Sequence, residues 1–168
     1  MLRNPKKILF LGLGGAGQRH LRLFREQLPL AKLITWRKKN KTPTLTSDFT
    51  EENIGLDEKY GVQILNSLKD AFDQKPDLAV ISYPTKFHNK MVLECAKRQI
   101  NIFVEKPGSV SLEEAKLIEA SIKKNNVDFF ISFQRNFHPL LKKMYELIIS
   151  KEIGSIISVR VNVGSYVP

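Results

Sequence analysis

Two rhythms of apolar and polar positions run along this chain. Continuous apolar runs of strand length occupy 6–12, 31–36, 61–65, 77–82, 100–104 and 127–132, and stretches with apolar residues at helical spacing occupy 16–28, 67–74, 86–98 and 111–125. A run such as Ile8-Leu9-Phe10-Leu11 leaves no polar face, which suits a strand covered by helices on both sides. The alternation of the two patterns predicts an α/β fold with a doubly wound parallel sheet. Ser111 followed three residues later by Glu114 reads as a capping box and marks a helix start. Residues 38–59, rich in Lys, Thr, Asp, Glu and Asn with Pro43 and Gly55, predict a loop with one short helix.

Beyond residue 133 the pattern changes. Leu140, Leu141, Met144, Leu147 and Ile148 predict an amphipathic helix over 138–150, Gly154 predicts a break, and Ile156-Ile157-Ser158-Val159-Arg160-Val161-Asn162-Val163 predicts a strand. The expected organisation is a sheet domain at 1–133 and, at 134–168, the start of a second, α+β domain that the chain does not complete.

Composition narrows the class. With 168 residues, 42% apolar and 26% charged, the chain has the make-up of one ordinary globular domain, and no apolar run is long enough to cross a bilayer. The single cysteine, Cys95, excludes an internal disulfide, suits a reducing cytoplasm and sits in an apolar helical stretch as a buried thiol. The net charge of +10 raises the question of nucleic acid. Its lysines and arginines are scattered, as at Lys6-Lys7, Arg37-Lys38-Lys39, Lys123-Lys124 and Lys142-Lys143, and they read as solvated faces and helix ends. Neither a nucleic-acid nor a membrane partner is expected, and no metal ligand set stands out.

The chemistry enters at Gly12-Leu13-Gly14-Gly15-Ala16-Gly17, directly after the first apolar run. A strand followed by G-x-G-x-x-G and a helix is the fingerprint of a dinucleotide-binding Rossmann unit. Gly12 permits a sharp turn, Gly14 lets backbone approach a pyrophosphate, and Gly17 lets the helix pack close to the strand. Gly15 and Ala16 bring N–H groups and the positive helix end to the phosphates. About 20 residues after this turn an NAD site carries an acid on the ribose, whereas an Arg suits the 2′-phosphate of NADP. No acid occurs between Ala31 and Ser47, but Arg37 does, so NADP is favoured over NAD; Asp48 folding back onto the ribose would reverse that.

Several further segments join this turn: Arg19-His20, Pro84-Thr85 with His88, Glu105-Lys106-Pro107, Gln134-Arg135-Asn136-Phe137-His138-Pro139 and Ile153-Gly154-Ser155-Ile156. In this order and spacing the chain resembles the Gfo/Idh/MocA family of NAD(P)-dependent oxidoreductases over nearly its whole length. The resemblance implies hydride transfer between nicotinamide and a hydroxyl-bearing carbon of a sugar, sugar nucleotide or cyclitol. It implies that Lys106 contacts the substrate oxygen as the catalytic residue, either as a fixed charge or, if burial lowers its pKa, as a proton donor and acceptor. It places Ser82, Pro84, Thr85, His88 and Glu105 about the cofactor. Arg135 would contact cofactor or substrate, or hold the crossover between domains by an ion pair. The family's second domain normally supplies most of the substrate pocket, an Asp and a His for proton transfer, and a sheet that mediates homo-oligomers. The other reading of the same residues is a noncatalytic NAD(P)-binding sensor or scaffold.

Overall fold

The computed structural model describes residues 4–37, 43–162 and 164. The chain divides into two compact units, Met1–Ser132 and Phe133–Pro168. In the first, strand β1 (Lys7–Leu11) leads to helix α1 (Gly15–Gln27) and strand β2 (Lys32–Trp36). A small hairpin, β3 (Thr44–Leu45) and β4 (Glu51–Glu52), precedes α2 (Leu56–Tyr60), β5 (Val62–Leu65), α3 (Leu68–Asp73) and β6 (Leu78–Ile81). Then come α4 (His88–Lys97), β7 (Asn101–Val104), α5 (Leu112–Asn125) and β8 (Phe129–Ile131).

Six strands form one sheet in the order β5-β2-β1-β6-β7-β8. Every pairing in it is parallel, with Phe10 opposite Thr35 on one side and Val80 on the other. The chain winds outward from β1 through β2 to β5, returns to β6 beside β1, and winds the other way. The carboxyl ends of β1 and β6 therefore flank the point where the winding reverses, which is where ligands bind in such sheets.

Pleating explains the apolar runs. Leu9, Leu11, Ile34, Ala79, Ile81, Ile102 and Val104 pack with Ala71 and Phe72 of α3, Met91, Val92, Cys95 and Ala96 of α4, and Ile118 of α5. Ile8, Phe10, Leu33, Val62 and Val80 turn to the other face and meet Leu21 of α1 with Leu56 and Tyr60 of α2. Burial pushes the Cys95 thiol up to about 12, so it serves as a small apolar side chain. The helix starts follow their caps. Ser111 Oγ accepts the Glu114 N–H at 3.2 Å, while the Glu114 carboxylate accepts the N–H of Val110 and not that of Ser111.

Two segments depart from expectation. Within 38–59 the short helix is α2, and the hairpin β3–β4 joins it; residues 38–42, including Lys38 and Lys39, lie outside the described residues. In the second unit a 3₁₀ turn (Gln134–Phe137) precedes helix α6 (Pro139–Ile149). The strand expected over 156–163 does not form: described residues 156–162 have no regular structure and no strand pairs with them. A strand needs a neighbour for its N–H and C=O groups, whereas α6 satisfies its own.

Candidate cofactor and active site

The glycine turn lies at the winding reversal. Gly12 has φ +97°, and a Cβ there would stand 2.7 Å from the main chain of Ser82 and Tyr83, so β1 and β6 close to contact only because the side chain is absent. The Ser82 N–H donates to Leu11 O at 2.7 Å across that junction. At Gly17 a Cβ would lie 2.0 Å from Gly12 O, which fixes glycine as the residue that seats α1 on the turn. Gly14 is different: it has φ −73°, and a Cβ would meet nothing within 4 Å. Among the described residues nothing beside Gly14 demands a glycine, and the space there is open. The first helical bond of α1 runs from the Gln18 N–H to Gly14 O, so the N–H groups of Gly15, Ala16 and Gly17 precede the ladder, and no acidic residue lies in that turn.

The hairpin bears on the same turn. Gln18 is buried; its Nε2 donates to Leu13 O at 3.0 Å and Pro43 O at 2.8 Å, and its Oε1 accepts the Leu45 N–H at 2.8 Å. Phe49 at the hairpin tip stands so close to Gly15 that a Cβ there would be 2.9 Å from its ring. Neither contact was signalled by the sequence, because each depends on a fold-back of more than twenty residues. Arg37 follows β2 directly and is half-buried, and that burial lowers its pKa from the ordinary value. It lines a hollow with Glu51, Glu52 and Asp57, where Glu52 is paired with Lys59.

Register puts the loops after β6 and β7 side by side, with Ile81 opposite Val104. Two hydroxyls in the first loop, Ser82 Oγ and Tyr83 Oη, are buried without a hydrogen-bond partner among the described residues, and burial raises the Tyr83 pKa. Pro84 is exposed and Thr85 half-buried at the start of a 3₁₀ turn. Lys106 is exposed, its peptide to Pro107 is cis, and its N–H donates to Glu105 Oε2 at 3.1 Å.

Glu105 is buried and faces inward: its Oε1 lies 2.6 Å from His20 Nε2 and 3.5 Å from Arg19 Nη2. Burial works to raise its pKa, but the hydrogen bond and charge of His20, the Lys106 N–H and Arg19 together hold it below the ordinary carboxylate range. His88 is buried as well, with Nδ1 2.8 Å from Pro107 O and Nε2 2.7 Å from Tyr83 O, so both ring nitrogens are occupied by main-chain carbonyls and neither faces a ligand. The acid and the imidazole thus each tie this edge to another part of the chain, Glu105 to α1 and His88 to the carbonyls of Tyr83 and Pro107. Arg135 belongs to the second unit and is exposed in its 3₁₀ turn.

Comparison with known proteins agrees with this geometry. Residues 6–133 match the model of the oxidoreductase family with an NAD-binding Rossmann fold, GFO_IDH_MocA. The chain is 31% identical over 144 residues to scyllo-inositol 2-dehydrogenase (NAD(+)) of Bacillus subtilis, 86% of this chain and 40% of that protein. It is 29% identical over 96 residues to D-xylose 1-dehydrogenase (NADP(+)) 2 of Haloferax volcanii, 57% of this chain and 29% of that one. Among solved structures, myo-inositol 2-dehydrogenase from Lactobacillus plantarum superposes with TM-score 0.74 at 25% identity, over 92% of this chain and 44% of that one. The chain therefore spans about two fifths or less of the length of these curated relatives. Among the described residues no helix is long and apolar enough to cross a membrane.

Proposed function

Since this chain belongs to the Gfo/Idh/MocA family of oxidoreductases, whose Rossmann region binds NAD, we propose that it forms the cofactor-holding part of a cytoplasmic dehydrogenase acting on a hydroxyl-bearing carbon of a cyclitol or sugar. The observation that carries this reading is the open face of Gly14 at the start of α1, on the same sheet edge as the turn that presents Lys106. The names of the inositol and xylose relatives support a polyol substrate. When bound, the nicotinamide supplies the hydride chemistry.

The chain's own residues hold and orient. The N–H groups of Gly15, Ala16 and Gly17, with the positive end of α1, cradle the pyrophosphate. Ser82 Oγ and Tyr83 Oη, buried without a partner among the described residues, belong to the loop that borders this site. Pro84 and Thr85 wall the same edge. Lys106 Nζ holds the substrate oxygen and stabilises the negative charge it gains, donating or accepting the proton there. Arg37 selects NADP over NAD by pairing with the 2′-phosphate, since its planar cation suits phosphate oxygens.

Cofactor choice is tested by titrating NADPH and NADH into Arg37→Asp. NADPH binding should weaken by about 1.5–3 kcal/mol more than NADH binding; equal losses on both nucleotides would remove the NADP preference. Catalysis is tested with this sequence joined to a family substrate domain. There, Lys106→Met should leave cofactor affinity unchanged and lower inositol turnover about 10²-fold or more, and wild-type turnover would remove the lysine from the mechanism.

A further inference from the structure

Lys106 is an exposed lysine in a loop, yet both of its neighbours are tied down by buried histidines. On the α1 face, His20 lies 2.6 Å from Glu105 Oε1, its ring edge-on to Phe103 with centroids 5.0 Å apart. The second oxygen of the same carboxylate accepts the Lys106 N–H at 3.1 Å. A carboxylate only accepts, so His20 donates from Nε2. On the α4 face, His88 bridges Pro107 O and Tyr83 O at 2.8 and 2.7 Å. Carbonyl oxygens also only accept; an imidazolium donates to both and a neutral ring to one. Helices α1 and α4 belong to opposite faces of the sheet.

We propose that His20 and His88 are positioning residues that grip the Glu105-Lys106-Pro107 turn from the two faces of the sheet and so fix where the Lys106 ammonium stands. The proposal rests on the reading of Lys106 as the group that meets the substrate oxygen. His20 has a second consequence. It sits on the helix whose first turn cradles the pyrophosphate, so a continuous path runs from Gly14 through α1, His20 and Glu105 to the Lys106 main chain. A lysine on a loose loop must be ordered each time it engages; one held by buried hydrogen bonds is ordered beforehand. Removing His20 takes away the shortest bond to the Glu105 carboxylate and leaves the longer contact to Arg19 at 3.5 Å and the Lys106 N–H, which favours a turn that opens to water.

The test uses this chain with amide exchange read residue by residue, Leu9 and Phe10 of β1 serving as the internal standard. His20→Leu should speed exchange of the Lys106 amide by about tenfold or more relative to that standard. His20→Gln, which keeps a donor near the Nε2 position, should restore most of the protection. His88→Asn carries its amide nitrogen near Nδ1, facing Pro107 O, and should keep Lys106 protected; His88→Gln carries it near Nε2, facing Tyr83 O, and should not. If Lys106 and β1 amides change in parallel in every variant, the histidines only stabilise the fold and the proposal is overturned. The same holds if the Asn and Gln variants behave alike. A separate arm adds NADPH to the wild-type chain carrying ¹³C-dimethylated lysines. Protection of the Gly15 amide without any shift of the Lys106 methyl signal would sink the assigned role of Lys106, while the exchange result would still decide the grip.

Discussion

Strand β1 and helix α6 carry the same kind of apolar residues and end in opposite states. Ile8, Leu9, Phe10 and Leu11 are 0% exposed, because α1 and α2 cover one face of the sheet and α3, α4 and α5 the other. On α6, Leu140 is 73%, Met144 51% and Ile149 63% exposed. The helix forms all the same: Pro139 opens it, His138 Nδ1 accepts the Leu140 N–H at 3.2 Å, and the ladder is internal. Residues 156–162 carry an equally apolar pattern and form nothing regular. Apolar spacing is enough to specify a helix, whose hydrogen bonds are its own, but a strand and a core exist only when a neighbour is present.

The strongest way to break this contrast is to truncate one residue in each unit. Phe10→Ala should cost about 3–5 kcal/mol in urea unfolding, whereas Leu140→Ala should stay within about 0.5 kcal/mol; similar losses would mean that α6 is packed in solution. The glycine turn sharpens it within one unit. Gly17→Ala forces a Cβ against Gly12 O and should cost about 3 kcal/mol, while Gly14→Ala, with open space before it, should leave the melting transition within about 0.5 kcal/mol of wild type. A smaller effect is expected at the α5 cap, where Ser111→Ala should lose about 1 kcal/mol.

The smallest concerns pH. Glu105 is held below the ordinary carboxylate range in the folded chain, so its contribution is complete above the unfolded value of about 4.3 and fades as pH falls through the lower folded value. Glu105→Gln should therefore flatten the acid limb of a stability profile and leave its slope near neutrality unchanged. An acid limb as steep as that of wild type would show that Glu105 is not the group being protonated.

These contrasts also explain what could be read from residues alone. The β1–turn–α1 unit and the six-strand alternation were legible because each rests on local periodicity and on glycines fixed by backbone contact. The hairpin was not, since two-residue strands leave no period and its attachments, such as the Gln18 amide reaching Pro43 and Leu45 and Phe49 standing over Gly15, join residues more than twenty positions apart. The position of Glu105 at the carboxyl edge of the sheet was legible from the end of β7, and that of His88 at the start of α4 from the family resemblance. Their inward orientation was not: Glu105 meets a residue 85 positions earlier, and His88 meets a carbonyl 19 positions later, in pairings that only the closed sheet creates. The motif Arg19-His20 was visible, but nothing in its spacing tied it to Glu105.

If the open face of Gly14 is a phosphate site, calorimetric titration of NADPH and NADH into the wild-type chain and Gly14→Val will show it. A Cβ at Gly14, where φ is −73°, meets nothing within 4 Å among the described residues, so the variant should fold and melt as wild type does. The wild-type chain should bind saturably and the variant should lose at least about a hundredfold, roughly 2.7 kcal/mol. Affinity retained within about threefold, roughly 0.6 kcal/mol, would contradict it.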